Sequence, residues 1–273
     1  MMKADDGCHY VVKSPENPQG TRVLVNEWLG NWVFTQLGIA TPQMRILSVS
    51  QDLIDSNDLH FSISPKRPLR PGYHLGSLYP TKPRAIYDYI PSSLMSAVSN
   101  RNDFTGALVC DKWLANTDYR QAVFVRQIRR VDGSHHHCLP GFQALMIDNG
   151  NLFDGAQWRF VDSSIGGLYL HREVYNHIRG WSHFDPWFAQ ISGLRGPALE
   201  RAVLGIPTEW LVGEELKLAR LVQRLERRVD KLPLLIEDMW KSVGLPLFVN
   251  WAVVASPNSI PVLDSPHRSP TTV

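Results

Sequence analysis

The stretch "LANTDYRQAVFV", residues 114–125, sets a cluster of polar side chains immediately before a β-prone run. Asp118, Arg120 and Gln121 stand at the entrance to this run, where a fold normally has only turn-forming residues. A second aspartate, Asp148, directly follows the apolar run "ALMI", which is typical of a buried strand. An aspartate before a strand pair and another after it could act near an attacking oxygen and as a ligand of a divalent cation.

A lysine and a glutamate come earlier in the chain, on two different predicted elements. The β-branched stretch "CHYVVK" predicts a strand over residues 8–13 that ends at Lys13. After a loop rich in proline, "TRVLVNEWLGNWVFTQLGI" predicts a helix that begins at Thr21 and is closed by Gly38. Glu27 lies roughly opposite its main apolar stripe. Two apolar residues of the same helix, Val23 and Phe34, also lie near Glu27. We therefore expect other elements to cover this helix from two directions.

The order of these residues matches the requirements of phosphoryl transfer. That chemistry needs a cation on the phosphates, a carboxylate to orient it, an acidic group near the attacking oxygen and another to hold magnesium. Lys13, Glu27, Asp118 and Asp148 could supply the four roles in that order. Each has an ordinary alternative, as a surface lysine, a solvated helix residue, a capping aspartate and a turn residue. Their shared order favours the functional interpretation.

The remaining pattern predicts an antiparallel strand pair between helical segments. Strands are expected at "QMRILSVS", "YHLGSLY", "QAVFVRQI" and "FQALMID", and helices at about residues 92–116, at "REVYNHIRG", at "DPWFAQI" with Asp185 as N-cap, and at residues 213–232. The last helix has a regular stripe of apolar residues: Leu218, Leu221, Leu225, Val229 and Leu232. Arginines and a lysine lie outside this stripe, and we interpret them as solvated surface. Residues 252–273, rich in serine and proline, predict a disordered tail.

Composition limits the classes of function. With 273 residues, 44% of them hydrophobic, the chain is long enough for a sizeable core. A net charge of +2 gives no general basic field for nucleic acid or membranes, and no apolar run reaches the length of a membrane span. Three widely spaced cysteines and an amino terminus without an apolar signal region predict a cytoplasmic protein with free thiols. The adjacent residues "HHHC", 135–138, lack the spacing of structural zinc ligands, so a polar hairpin loop is the favoured interpretation.

Several longer stretches resemble the HipA-like kinases, specifically their short bacterial branch. They are "YVVK", "VNEWLGNWVFTQLGIATP", "YHLGSLYP", "DKWLANTDYRQAVFV" and "ALMIDNGNLFDG". The resemblance spans roughly residues 5–190, and the pairing of "NTDYRQAVF" with "MIDNG" is its most specific part.

The resemblance implies an α+β, two-lobed protein-kinase-like fold that uses ATP and magnesium to phosphorylate a protein or small-molecule hydroxyl. Residues 1–80 would form a small β-rich N-lobe and residues 81–251 a mainly helical C-lobe. By position, Lys13 matches the phosphate-binding lysine and Glu27 its helix partner, while Asp118 matches the catalytic aspartate and Asp148 the metal ligand. Adenine would lie against the segment joining the lobes, for which we predict Leu75, Gly76 and Ser77.

Two features depart from the family pattern. The magnesium-binding asparagine five residues after the catalytic aspartate is replaced by Val123, which cannot ligate a cation. Gln121 could substitute, so we place it with Arg120 among the catalytic candidates and with Asp148 at the metal. Only twelve residues precede Lys13, so we expect an abbreviated cover over the phosphates or a shortened chain. A catalytically silent, kinase-shaped module that binds nucleotide or a partner is therefore the alternative function.

Overall fold

The computed structural model describes residues 1–61, 67–80, 85–130, 138–243 and 247–251. The fold is mixed α/β, with antiparallel sheets in the first half of the chain and mostly helices in the second. The strands are β1 Met2–Lys3, β2 His9–Lys13, β3 Met44–Val49, β4 His60–Phe61, β5 Arg67–Pro68, β6 Gly72–Leu78, β7 Ile86–Tyr87, β8 Gln121–Arg130 and β9 Cys138–Ile147. The α-helices are α1 Thr21–Gln36, α2 Gln51–Asn57, α3 Asn102–Trp113, α4 Asp185–Ser192, α5 Pro197–Leu204, α6 Glu215–Arg228 and α7 Leu232–Ser242.

The amino-terminal sheet has four antiparallel strands in the order β1-β2-β6-β3. Three of these strands, β2, β3 and β6, lie where alternating and β-branched residues predict them. In the register of β2 with β6, Lys13 at the end of β2 lies opposite Leu75. Lys13 is therefore the last residue of β2, at the point where the chain leaves the sheet for the loop before α1.

Helix α1 is buried on nearly all sides, as the apolar residues near Glu27 predict. Its buried residues include three polar ones: Asn26, Glu27 and Asn31. The helix begins after Gly20, whose φ of 80° few other residues adopt, and it is followed by Gly38 with a φ of 69°. Because a buried carboxylate or amide needs partners, these polar residues must bond to neighbouring elements.

The helical region predicted over about residues 92–116 is present but interrupted. The structure has a 3-10 helix at Ser92–Ala97, then a break, then α3. The break arises because this segment bonds to β9: the Ser99 amide donates to the Phe142 carbonyl over 2.9 Å, and the Asn100 side chain donates to the Ala144 carbonyl over 2.9 Å. Strands β8 and β9 then form the predicted pair, with β7 on the outer edge of β8.

The carboxyl-terminal part is helical, with three differences from the prediction. The segment "REVYNHIRG" contains only a 3-10 turn at Arg172–Tyr175. Asp185 is the first residue of α4, and Phe184 occupies the N-cap position in its place. The predicted helix over 213–232 is α6 followed by a 3-10 turn at Val229–Lys231, and its whole predicted apolar stripe is buried.

No helix among the described residues is long and apolar enough to cross a membrane. Two predictions fall outside the described residues: the histidines at 135–137 and the tail over 252–273. The predicted two-lobed arrangement stays a prediction, since the observed architecture is the mixed set of antiparallel sheets and helices given above.

Candidate functional site

Three charged side chains from three separate elements meet beside the amino-terminal sheet. The Lys13 ammonium group at the end of β2 forms an ion pair with Glu27 of α1 and lies 3.2 Å from Oδ1 of Asp148, which follows β9. The predicted contact between Lys13 and Glu27 is therefore present. Glu27 is buried, whereas Lys13 and Asp148 keep about a third of their side-chain surface exposed. A cation held between two carboxylates, with one side open, can contact an anionic ligand.

The charges of Lys13 and Asp148 stabilise each other, whereas burial, together with the nearby Asp148 charge, raises the pKa of Glu27 above the ordinary value for glutamate. Burial lowers the pKa of Lys13, but the carboxylates of Glu27 and Asp148 raise it by more, so that it lies above the ordinary value for lysine. For Asp148 the effects have the opposite signs. Burial raises its pKa, but the Lys13 charge and the hydrogen bonds lower it by more, so that it lies below the ordinary value for aspartate. At neutral pH the site therefore presents an ammonium group and an ionised carboxylate.

The cluster lies at the wall of a cavity of about 490 Å³, within the usual size range of small-ligand sites. The cavity has a polar part and an apolar part. Its polar lining includes Lys13, Glu27, Gln121, Asp148 and Asn149, and its apolar lining includes Val11, Met44, Leu75, Ile86, Val123 and Leu145. A ligand with an anionic end and a flat apolar end would match both parts.

Asp118 does not line the cavity. It is exposed, and the Asn151 side-chain amide donates to its Oδ2 over 3.1 Å. The backbone amide of Asp118 donates to the Asn116 side-chain oxygen over 3.0 Å, and this bond fixes the main chain at Asp118. Because Asn151 is three residues after Asp148, the two aspartates are tied to the same short loop. The order of roles in the family also leads us to predict that the two aspartates face one cleft between the lobes.

Arg120, predicted as a catalytic residue, is fully buried and cannot contact a substrate in this structure. Its guanidinium group pairs with Asp111 on α3, with Nε 2.8 Å from Oδ2. It also donates to the Ile147 carbonyl over 2.7 Å and to Oδ1 of Asn149 over 3.0 Å. An arginine presents several donors in a rigid fork, so one side chain can join α3 to the loop after β9. Arg120 is a positioning residue for the Asp148 loop.

Gln121 is exposed, and its side-chain amide donates to Oδ2 of Asp148 over 3.0 Å. This contact places an amide oxygen on the same side chain within reach of a cation that Asp148 would bind. Val123 lines the cavity and offers no ligand atom. The described residues contain no group of three or more His, Cys, Asp or Glu residues arranged to hold a metal ion. Magnesium, which keeps several waters and takes only one or two carboxylates, does not require such a group.

The three residues predicted beside the adenine face two sides of β6. Leu75 and Ser77 line the cavity, whereas Gly76 does not, and their contact with adenine stays a prediction. A side chain at Gly76 would point to the opposite face of the sheet, where a Cβ atom would come within 2.5 Å of Leu47. The alternation of side chains along a strand explains this difference, because neighbours in sequence point to opposite faces.

Several asparagines that position the loop after β9 were not among the site residues predicted from the sequence. The Asn149 amide donates to Oε2 of Glu27 over 3.0 Å, and the Asn26 side chain donates to the carbonyls of Gly150, Leu152 and Gly155 over 2.8 to 3.0 Å. Asn26 is next to Glu27 in sequence, and Asn149 and Asn151 flank Gly150. A signal existed in the closely spaced amides of "DNGN".

Residues 1–124 match a family model described as HipA-like kinase. The match confirms the resemblance noted in the sequence for this part of the chain. It includes Lys13, Glu27 and Asp118 and ends before Asp148. No curated protein and no solved structure matches the chain.

Proposed function

With residues 1–124 identified as HipA-like kinase sequence, we propose that the protein is an ATP- and magnesium-dependent phosphotransferase acting on a protein or small-molecule hydroxyl. The observation that carries the proposal is the meeting of Lys13, Glu27 and Asp148 at the wall of one cavity. In this proposal residues 1–80 and 81–251 are the two lobes, and the cavity between β6 and β8 holds the nucleotide.

The residues of the polar part fit a magnesium–triphosphate group. Lys13 pairs with the buried Glu27 and with Asp148, which keeps about a third of its side chain exposed, so its charge can turn towards phosphate oxygens while Glu27 keeps the side chain in place. Asp148 and Gln121 would hold the metal through carboxylate and amide oxygens. Bound magnesium would neutralise charge on the phosphate oxygens. Leu75, Met44 and Leu145 supply apolar contacts suited to a nucleobase.

Asp118 is proposed to orient the acceptor hydroxyl. In the transfer, the acceptor oxygen bonds to the γ-phosphorus, the bond from this phosphorus to the β–γ bridging oxygen breaks, ADP leaves, and the hydroxyl proton passes to Asp118. Asn151 and Asn116 hold the Asp118 side chain and backbone from two sides. Such positioning is where a kinase gains most of its rate, because the protein does little covalent chemistry itself.

The silent alternative would bind either nucleotide or a partner, and the second candidate considered is its nucleotide-binding form, which binds nucleotide without transferring phosphate. Val123 favours it, since this apolar side chain lines the cavity where the family pattern has a metal-binding asparagine. Both candidates require nucleotide binding and differ only in turnover.

Magnesium-dependent binding of ATP is the first experiment. At ATP about 100-fold above its dissociation constant, linkage stabilises the fold by about 2.7 kcal/mol, which raises the melting temperature by roughly 5 to 10 °C for a chain of this size. We expect the shift only with magnesium present, because phosphates and Asp148 otherwise repel each other. Asp148→Asn should abolish most of it. Differential scanning fluorimetry with ATP, with and without magnesium, measures this.

Two further variants sharpen the result. Asp52→Asn changes an exposed aspartate at the start of α2 and should leave the ATP-dependent shift unchanged. Gln121→Ala should weaken the magnesium dependence if Gln121 is the substitute ligand, whereas an unchanged dependence would remove it from the metal site. A wild-type protein that shows no shift with Mg-ATP would contradict nucleotide binding, and with it both candidates.

A further inference from the structure

Lys112, on the last turn of α3, is a buried lysine with all three of its donors in use. Its ammonium group donates to the backbone carbonyls of Ser163, Ser164 and Gly166 over 2.8, 3.2 and 2.6 Å. Only 5% of the residue is exposed. A lysine is rarely buried to this degree, and here its partners are neutral carbonyls of one loop and not a carboxylate. The three carbonyl oxygens point at the Lys112 ammonium group, whose positive charge and N–H donors offset the repulsion between their partial negative charges.

The loop that Lys112 gathers is bonded directly to the backbone around Asp118. The Gly167 amide donates to the Asp118 carbonyl over 2.7 Å, and the Arg120 amide donates to the Leu168 carbonyl over 3.0 Å. The loop also packs closely: a Cβ atom added at Gly166 would lie 2.0 Å from the Asn116 carbonyl oxygen. The position of this loop therefore determines the position of the Asp118 main chain.

From these contacts we propose that Lys112 is a positioning residue for phosphoryl transfer, acting through the loop of residues 163–168 on the catalytic segment 116–120. This proposal rests on the kinase function proposed above. Lys112 does not line the cavity that would hold the nucleotide, so its effect would be on the transfer step and not on nucleotide binding.

The charge environment agrees with a role that depends on a protonated amine. Burial lowers the pKa of Lys112 to about 8, while Asp111 and Asp162 act in the opposite direction. Both carboxylates are themselves paired, Asp111 with Arg120 and Asp162 with Arg228. The ammonium group is thus held chiefly by the loop carbonyls. A neutral amine has two N–H donors and would release one of the three carbonyls.

The test compares Lys112→Met, which keeps the length but removes all donors, with Lys112→Gln, which keeps two donors without the charge. We expect Lys112→Met to lower kcat by about 10- to 100-fold, because a displacement of about 1 Å costs this much, while KM for ATP stays within about twofold. Lys112→Gln should retain more activity. The control is Lys231→Met, at an exposed lysine, which should change neither constant. If Lys112→Met instead lowers kcat/KM only by raising KM for ATP, with kcat unchanged, the proposal is overturned.

Hydrogen exchange gives a second measurement that does not depend on activity. In Lys112→Met, amides of residues 164–169 and 118–121 should exchange faster, while those of α1 should keep their wild-type rates. If the wild type transfers no phosphate, the kinase proposal fails, and if exchange of both segments is unchanged in a folded Lys112→Met protein, the positioning role fails. Should Lys112→Met not fold, the same comparison in Lys112→Gln decides.

Discussion

Replacing Asp118 with alanine is expected to lower phosphoryl transfer by about 10²- to 10⁴-fold, the usual contribution of a positioned acid–base group. The carboxylate is exposed and held by the Asn151 amide, and its removal takes away the group that we propose orients the acceptor hydroxyl. Mg-ATP binding should persist, because Asp118 does not line the cavity. Single-turnover assays with γ-labelled ATP, run beside the melting measurement, give both quantities for one variant.

The matched control is again an aspartate remote from the cavity. Asp52→Ala removes an exposed carboxylate and should leave transfer at the wild-type rate. Asn151→Ala, which removes the partner of Asp118 but not the carboxylate itself, should give a smaller loss than Asp118→Ala. If Asp118→Ala transfers phosphate as fast as the wild type, Asp118 has no catalytic role.

The variant Asp111→Asn is expected to lose about 3 to 5 kcal/mol of unfolding free energy, because it leaves the buried Arg120 charge without its carboxylate. Both side chains of this pair are fully buried. Arg120 also holds the Ile147 carbonyl and Asn149, so the loss should be accompanied by displacement of the Asp148 loop. Urea denaturation followed by circular dichroism measures the free energy.

An exposed pair provides the comparison. Arg195 and Asp230 form an ion pair with both side chains substantially exposed, and Asp230→Asn should cost no more than about 1 kcal/mol. The double variant Asp111→Asn with Arg120→Met should lose less than the sum of the two single losses, since the second change removes the unpaired charge. Strictly additive losses would mean that the pair has no coupling energy.

The sequence was sufficient for the elements that carry the charged cluster. Lys13 at the end of a β-branched run and Glu27 on a helix follow from local periodicity, and the contact between them follows from the family order. The apolar stripe of α6 was equally predictable, because a regular spacing of leucines describes one face of a helix.

The contacts that position the cluster could not be predicted in the same way. Arg120 looked catalytic because it stands beside Asp118, but its burial depends on tertiary contacts, with Asp111 nine residues away on α3 and with the loop after β9, which begins 27 residues away. Lys112 gives no local signal, because its partners are backbone carbonyls more than fifty residues away. The break before α3 likewise depends on bonds from residues 99 and 100 to β9. Such tertiary hydrogen bonds leave no periodic pattern.

The fate of the γ-phosphate of ATP tests the central claim most directly. Wild-type protein is incubated with γ-labelled ATP and magnesium, and the label is followed into protein, into added acceptors and into free phosphate. We expect magnesium-dependent loss of the label from ATP, which Asp118→Ala should slow by about 10²- to 10⁴-fold. Protein that binds Mg-ATP but leaves the label on ATP with every acceptor tested would contradict the kinase proposal and assign the chain to the silent, nucleotide-binding alternative.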